Sequence, residues 1–236
     1  MDKMNLCIDI GNTSTKASLF KDGKELRYMK PFTLADLSEI RENANVRILV
    51  SRSGRDEEIE SKLKTKDFLS HLTSIPIDID YKTPETLGRD RIATGVGAYM
   101  LDEDATWLII DLGTCLTMDL VEDGVFRGGL ISPGVDMRLR AMNHFTAGLP
   151  YVDMDYDQKF PGKSTKESLQ VGVCQSIGYE INGYIRQLNS QYDNLKIVDC
   201  SSQNIFFDKE VKNEIFARPK LVVEGLNHIL EYNVKK

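Results

Sequence analysis

The chain has 236 residues, 41% hydrophobic and 28% charged, which fits a globular fold of one or two domains and argues against a disordered, collagen-like or membrane-spanning polypeptide. Thirty basic against 36 acidic residues leave a formal charge of −6, so no nucleic-acid partner is expected, although local dipoles can still hold a small anion. Four cysteines without a CxxC pair and three scattered histidines argue against a disulfide framework or a zinc site; with no signal-peptide core and no long apolar run, a cytoplasmic protein without membrane contact is expected.

In chain order, Asn5–Ile10 reads as a buried strand, followed by a polar Gly-Asn-Thr-Ser turn and a second strand over Lys16–Phe20. Asp22-Gly23 is a hairpin signal leading to a strand over Glu25–Pro31. Leu34–Ala44 has helical spacing, Val46–Ser51 is a strand, Asp56–Phe68 a charged amphipathic helix, Ile75–Tyr81 a strand and Arg91–Leu101 a helix. The opening pattern then recurs: strand Trp107–Asp111, turn Gly113-Thr114, strand Leu116–Val121, hairpin Asp123-Gly124 and strand Val125–Ile131. Asp9 and Asp111 stand 102 residues apart in the two copies, which predicts two similar halves, 1–102 and 103–236, each a strand meander backed by helices. A helix over Val135–Phe145, a loop over Tyr151–Lys163, a long helix over Thr165–Tyr192, a strand over Lys196–Cys200 and a helix over Val222–Tyr232 complete the chain. Gly172, Gly178 and Gly183 inside the long helix suggest close packing there.

Three constellations carry chemistry. Asp9, Ile10, Gly11, Asn12, Thr13, Ser14, Thr15 and Lys16 place a carboxylate at a strand end, then a glycine, hydroxyls, an amide and a cation. Such a turn binds phosphate through backbone N–H groups, with Asp9 placed for a divalent metal or its water; it also reads as a plain β-turn. Asp111-Leu112-Gly113-Thr114-Cys115 repeats the chemistry in the second half, so that the two turns face each other across a cleft suited to a nucleotide. Gly88-Arg89-Asp90-Arg91 precedes a helix: Asp90 could orient a hydroxyl there, or the segment could be a helix cap with surface ion pairs. Gly162-Lys163-Ser164 lacks the first glycine of a P-loop, Gly95-Val96-Gly97 lacks the third glycine of a dinucleotide fingerprint, His144 and His228 read as structural, and Cys115 as a small core residue.

Taken together, CIDIGNTSTK, YKTPETLGRDR, IIDLGTCLTMDLV, GGLISPGVDMRLRAM and GKSTKESLQVG resemble, in order and spacing, the motifs of type III pantothenate kinases. The resemblance implies an α/β fold of two ribonuclease H-like halves of the sugar-kinase/actin superfamily, with ATP in the cleft between them. It implies ATP-dependent phosphorylation of pantothenate to 4′-phosphopantothenate, the first step of coenzyme A synthesis, by a homodimer that needs Mg²⁺ or a similar ion and K⁺ or NH₄⁺. By the same resemblance Asp90 is the catalytic aspartate, and Tyr81, Gly88, Arg89, Arg91 and Thr165 are substrate-binding. Asp9 to Lys16 and Thr114 are ATP-binding, Asp111 is the monovalent-cation ligand, and Asp9 serves a divalent cation through ATP. The chain departs from the family at Cys200-Ser201-Ser202-Gln203, where a Thr-Gly-Gly-Asp-like turn is usual, which implies weak ATP binding. A non-catalytic accessory relative, or a kinase of another small hydroxylated metabolite, are the competing readings.

Overall fold

The computed structural model describes residues 3–201, 205 and 211–234; Ser202 and Gln203 of the unusual turn lie outside them. The first sheet runs β3-β2-β1-β4 and comprises β1 (Met4–Ile10), β2 (Thr15–Lys21), β3 (Lys24–Met29) and β4 (Val46–Arg52). β1 to β3 form an antiparallel meander. α1 (Leu34–Asn43) returns the chain so that β4 lies parallel to β1. Thr33 and Asp36 form a reciprocal capping box that starts α1.

The second sheet runs β10 (Ile215–Ala217), β9, β6, β7, β8 and β5 (Asp78–Ile79) and repeats the plan. β6 (Thr106–Leu112), β7 (Cys115–Glu122) and β8 (Val125–Pro133) form the meander, and β9 (Leu195–Asp199) lies parallel to β6. Both meanders turn on Asp-Gly pairs with positive φ, Asp22-Gly23 and Asp123-Gly124, as the hairpin signals predict. This is the two-lobed α/β fold expected from the repeat.

The halves interlock. β5 (Asp78–Ile79) crosses to pair with β8, and α7 (Leu221–Val234) packs back against β1. Between the sheets, α7 lies on α3 (Arg89–Tyr99), within a core that joins Cys7 and Leu49 of the first sheet to Trp107 and Ile109 of the second. The close approach explains Gly97 and Gly225: a Cβ at Gly97 would lie 2.8 Å from Leu221, and one at Gly225 would strike the Ala93 carbonyl. Lys220 also reaches across to Glu25, at 2.6 Å, over the Tyr28 ring.

The structure corrects several expectations. The charged stretch 56–68 is one turn, α2 (Glu57–Glu60), and a 3₁₀ turn at Thr65–Asp67, because the backbone must return to the sheet edge: Phe68 bridges Val50 and Leu69 N–H donates to Val50 O at 2.9 Å. The strand expected over Ile75–Tyr81 shrinks to β5. The long helix is α5 (Thr165–Gln170), a π-turn at Val171–Gln175 and α6 (Ser176–Asn189). Gly172 and Gly183 face open space, so the close packing expected of them is not found within the chain. Cys115 is half-buried at the start of β7 rather than in the core. Among the described residues, no helix is long and apolar enough to cross a membrane.

Candidate active site

Successive strand residues point to opposite faces. On β1, Leu6, Ile8 and Ile10 therefore enter the core under α1, while Asn5, Cys7 and Asp9 face α3, α7 and the second lobe. Asp9 is 4% exposed at the end of β1, and Lys16, its register partner on β2, lies 3.3 Å from Asp9 Oδ2. Ile10 is buried in the core, so only its backbone belongs to the turn; its carbonyl accepts from Ser53 N–H at 3.0 Å and Gly54 N–H at 2.8 Å. Asn12 and Thr13 are exposed at the tip, whereas the buried Thr15 hydroxyl donates to Asp56 Oδ2 at 2.7 Å.

The second turn meets the first as the repeat predicts: Thr13 Oγ1 and Thr114 Oγ1 stand 3.3 Å apart across the cleft. Each turn is backed by a glycine. A Cβ at Gly54 would collide with the Gly11 carbonyl and lie 2.8 Å from Asn12 N; one at Gly134 would collide with the Gly113 carbonyl and lie 2.6 Å from Thr114 O. The peptide groups of both turns are thus held against a neighbouring segment while their tips face the cleft.

Asp90 lies in the first turn of α3 and its Oδ1 accepts from Arg91 N–H at 2.9 Å. Glycine at 88 permits this, since a Cβ there would sit 2.6 Å from Asp90 Oδ1. The Asp90 charge acts on both Asp9 and Asp111. Burial pushes the Asp111 carboxyl up to about 7, with Lys16 opposing and Asp90, Asp9 and Asp199 adding to the rise. Burial also raises Asp9, opposed by Lys16 and reinforced by Asp90. The raised pKa values of Asp9 and Asp111 beside Lys16 mark this cluster as a functional-site candidate.

The remaining expected substrate residues are placed differently. Arg89 staples the loop before α3, donating to Pro84 O at 3.2 Å and Glu85 O at 2.7 Å. Arg91 turns inward: its Nε lies 3.0 Å from both oxygens of the buried Asp119 on β7, and its Nη2 also donates to Asp119. Burial raises the Asp119 carboxyl while the bidentate Arg91 guanidinium opposes the rise, the geometry of a buried ion pair. The guanidinium lies 6.0 Å from the Tyr81 ring centre and 5.9 Å from that of Phe126, so Arg91 fixes Tyr81 from behind. Thr165 opens α5 with its side chain exposed, and contacts within the chain do not tie it to the aspartates. Sequence reasoning missed Asp119, Ser51, Gly54 and Asp56. The available signals were an acid in the otherwise apolar Leu116–Val121 strand and a polar Ser-Arg-Ser-Gly ending to β4.

Among the described residues, no group of three or more His, Cys, Asp or Glu is preassembled as a metal site. Asp9 Oδ1, buried and without a hydrogen-bond partner, nevertheless fits a hard cation that keeps its waters and shares phosphate oxygens.

Two facing glycine turns, a carboxylate at each strand end and a helix-borne aspartate beside them, on this two-lobed α/β fold, suit a phosphotransferase. The family profile described as type III pantothenate kinase matches residues 5–187. A type III pantothenate kinase from Cytophaga hutchinsonii is 41% identical over 237 residues, covering 98% of this chain and all of that one. Another, from Christiangramia forsetii, is 38% identical and covers 98% and 99%. The chain belongs to the type III pantothenate kinase family. A solved structure from Campylobacter jejuni, described as a Baf family transcriptional activator, shares the fold with a TM-score of 0.58 at 22% identity, covering 98% of this chain and all of that one.

Proposed function

We propose that this pantothenate kinase transfers the γ-phosphoryl group of ATP to the pantothenate 4′-hydroxyl with Asp90 as the residue that orients that hydroxyl and takes its proton. The observation that carries the reading is the convergence of Asp9, Asp90 and Asp111 beside two turns whose Thr13 and Thr114 hydroxyls approach to 3.3 Å.

The hydroxyl oxygen bonds to the γ-phosphorus while the bond from that phosphorus to the β–γ bridging oxygen breaks, leaving ADP. The transition state is loose, so positioning and charge stabilisation carry the catalysis. A carboxylate is a weak base, so Asp90 orients the hydroxyl early and receives its proton late. Asn12, Thr13 and Thr114 and the turn N–H groups hold the phosphates, and Lys16 supplies positive charge beside Asp9. Asp9 would hold a divalent cation through ATP, and Asp111 would hold K⁺ or NH₄⁺. Such cations, when bound, neutralise charge on the transferring group. Tyr81 and the loop stapled by Arg89 line the pantothenate side.

We further propose a cytoplasmic homodimer. Supporting the second copy are large exposed apolar side chains on and around α4 (Val135–Phe145) and α6, among them Ile131, Phe145, Phe160 and Tyr179.

The test is Asp90→Asn. The variant should keep ATP affinity and fold while kcat falls by roughly 10²–10⁴-fold, the usual contribution of a positioned acid–base group. Retention of full kcat would remove Asp90 from this role.

A further inference from the structure

On the face of the first sheet that looks into the cleft, three adjacent strands present Lys16, Asp9 and Ser51 in one row: Asp9 is the register partner of Lys16 on β2 and of Ser51 on β4. Lys16 takes the Asp9 Oδ2 side. Asp9 Oδ1 and Ser51 Oγ are both buried and neither completes a well-formed hydrogen bond among the described residues, although the Ser51 hydroxyl stands close enough to Asp9 to pull its carboxyl pKa down against burial. Elsewhere on this face buried polar groups are paired: Ser18 donates to Glu25 at 2.6 Å and Asn5 to Asn227 at 2.7 Å. Buried polar groups are rarely left unpaired, so two such atoms at neighbouring register positions belong to one feature. Packing does not explain the hydroxyl, because alanine or valine would fill a fully buried strand position without a polar atom to satisfy. In the second lobe, Cys200, just past β9 where it runs beside β6, takes the place that Ser51 holds on β4 beside β1, and its thiol has a backbone acceptor in Ile110 O at 3.3 Å, whereas the group facing Ser51 is the Asp9 carboxylate.

We infer that Ser51 is a positioning residue for phosphoryl transfer. Its hydroxyl, directly or through one buried water, holds Asp9 Oδ1 on the side away from Lys16 and so fixes the plane in which the carboxylate faces the cation–phosphate site. The inference rests on Asp9 serving that site.

The test compares Ser51→Ala and Ser51→Thr with the unsubstituted chain. Three quantities are read: kcat and KM for pantothenate, the affinity for Mg²⁺ with a non-hydrolysable ATP analogue by calorimetry, and the melting temperature. Ser51→Ala should keep its melting temperature and its KM for pantothenate. It should lose about 10-fold in kcat and in affinity for the Mg²⁺–analogue pair, the low end for losing a group that orients a metal-facing carboxylate. Ser51→Thr, which keeps the hydroxyl, should recover both. A Ser51→Ala protein with unchanged kcat and affinity, or with only a lowered melting temperature, overturns the inference. If the unsubstituted chain shows no pantothenate-dependent turnover, the kinase reading fails, and the calorimetry still decides the role of Ser51.

Discussion

Adding a single methyl group at position 54 probes how the first phosphate turn is held. The Cβ of Gly54→Ala would sit 2.8 Å from Asn12 N and closer still to the Gly11 carbonyl. Nonbonded atoms rest about 3.5–4.0 Å apart, so the turn must withdraw by about 0.7 Å or more. Neither side can yield cheaply, since Gly54 N–H and Ser53 N–H are both bonded to Ile10 O and Thr15 is bonded to Asp56. Overpacking of this kind costs about 1–3 kcal/mol. For a chain of this size that lowers the melting temperature by about 2–12 °C. A misplacement near 1 Å at reacting groups costs about 100-fold in rate, so kcat/KM for ATP should fall by roughly 10–100-fold. The KM for pantothenate should change little, because Tyr81 and the loop before α3 are elsewhere. Steady-state kinetics with each substrate varied, alongside a thermal melt, makes the measurement. Wild-type kcat/KM for ATP in a folded Gly54→Ala protein would refute the claim that this close approach shapes the phosphate site.

Asp119→Asn leaves the buried Arg91 guanidinium without its counter-charge. A loss of about 3–5 kcal/mol is expected from chemical denaturation, as for other broken buried pairs, and an intact denaturation midpoint would contradict the inward placement of Arg91. Asp111 gives a pH prediction. Its folded pKa of about 7 lies above the usual carboxylate value, so its contribution to stability is full below about pH 4 and is lost as pH rises to 7. Without cations, Asp111→Asn should therefore melt higher than the unsubstituted chain at pH 8 by about 2–8 °C, with the gap shrinking by pH 5.5; an equal gap at both pH values would be inconsistent with the raised pKa. Gly225→Ala drives a methyl group into the Ala93 carbonyl, so it should lower the melting temperature while the KM values of surviving protein stay unchanged.

The repeat was legible because each lobe announces itself with local signals: alternating strands, a DxG turn and an Asp-Gly hairpin whose left-handed residues are visible in composition alone. The meeting of Thr13 with Thr114 followed from that symmetry. The site's supports were illegible because they depend on pairings between distant segments. Asp119 looks like one polar residue in a strand until β7 is laid beside α3, and Ser51 reads as an ordinary strand end until β4 is registered against β1. Helical periodicity misread 56–68 because the pull of Val50 on the Phe68 and Leu69 backbone is tertiary. The cost of glycine inside a helix suggests close packing at Gly172 and Gly183, yet a Cβ at either, in the π-turn and in α6, would meet nothing within the chain. Close helix packing is marked instead by Gly97 of α3 and Gly225 of α7, which no local pattern distinguishes.

ADP release by the purified protein with ATP and Mg²⁺, measured with and without pantothenate and in K⁺ and then Na⁺, decides whether the two turns and their carboxylates form a cation-assisted site for phosphorylating pantothenate. Turnover should require pantothenate and run faster in K⁺ than in Na⁺. A folded protein that releases no ADP at millimolar ATP, or releases it equally without pantothenate, would contradict this.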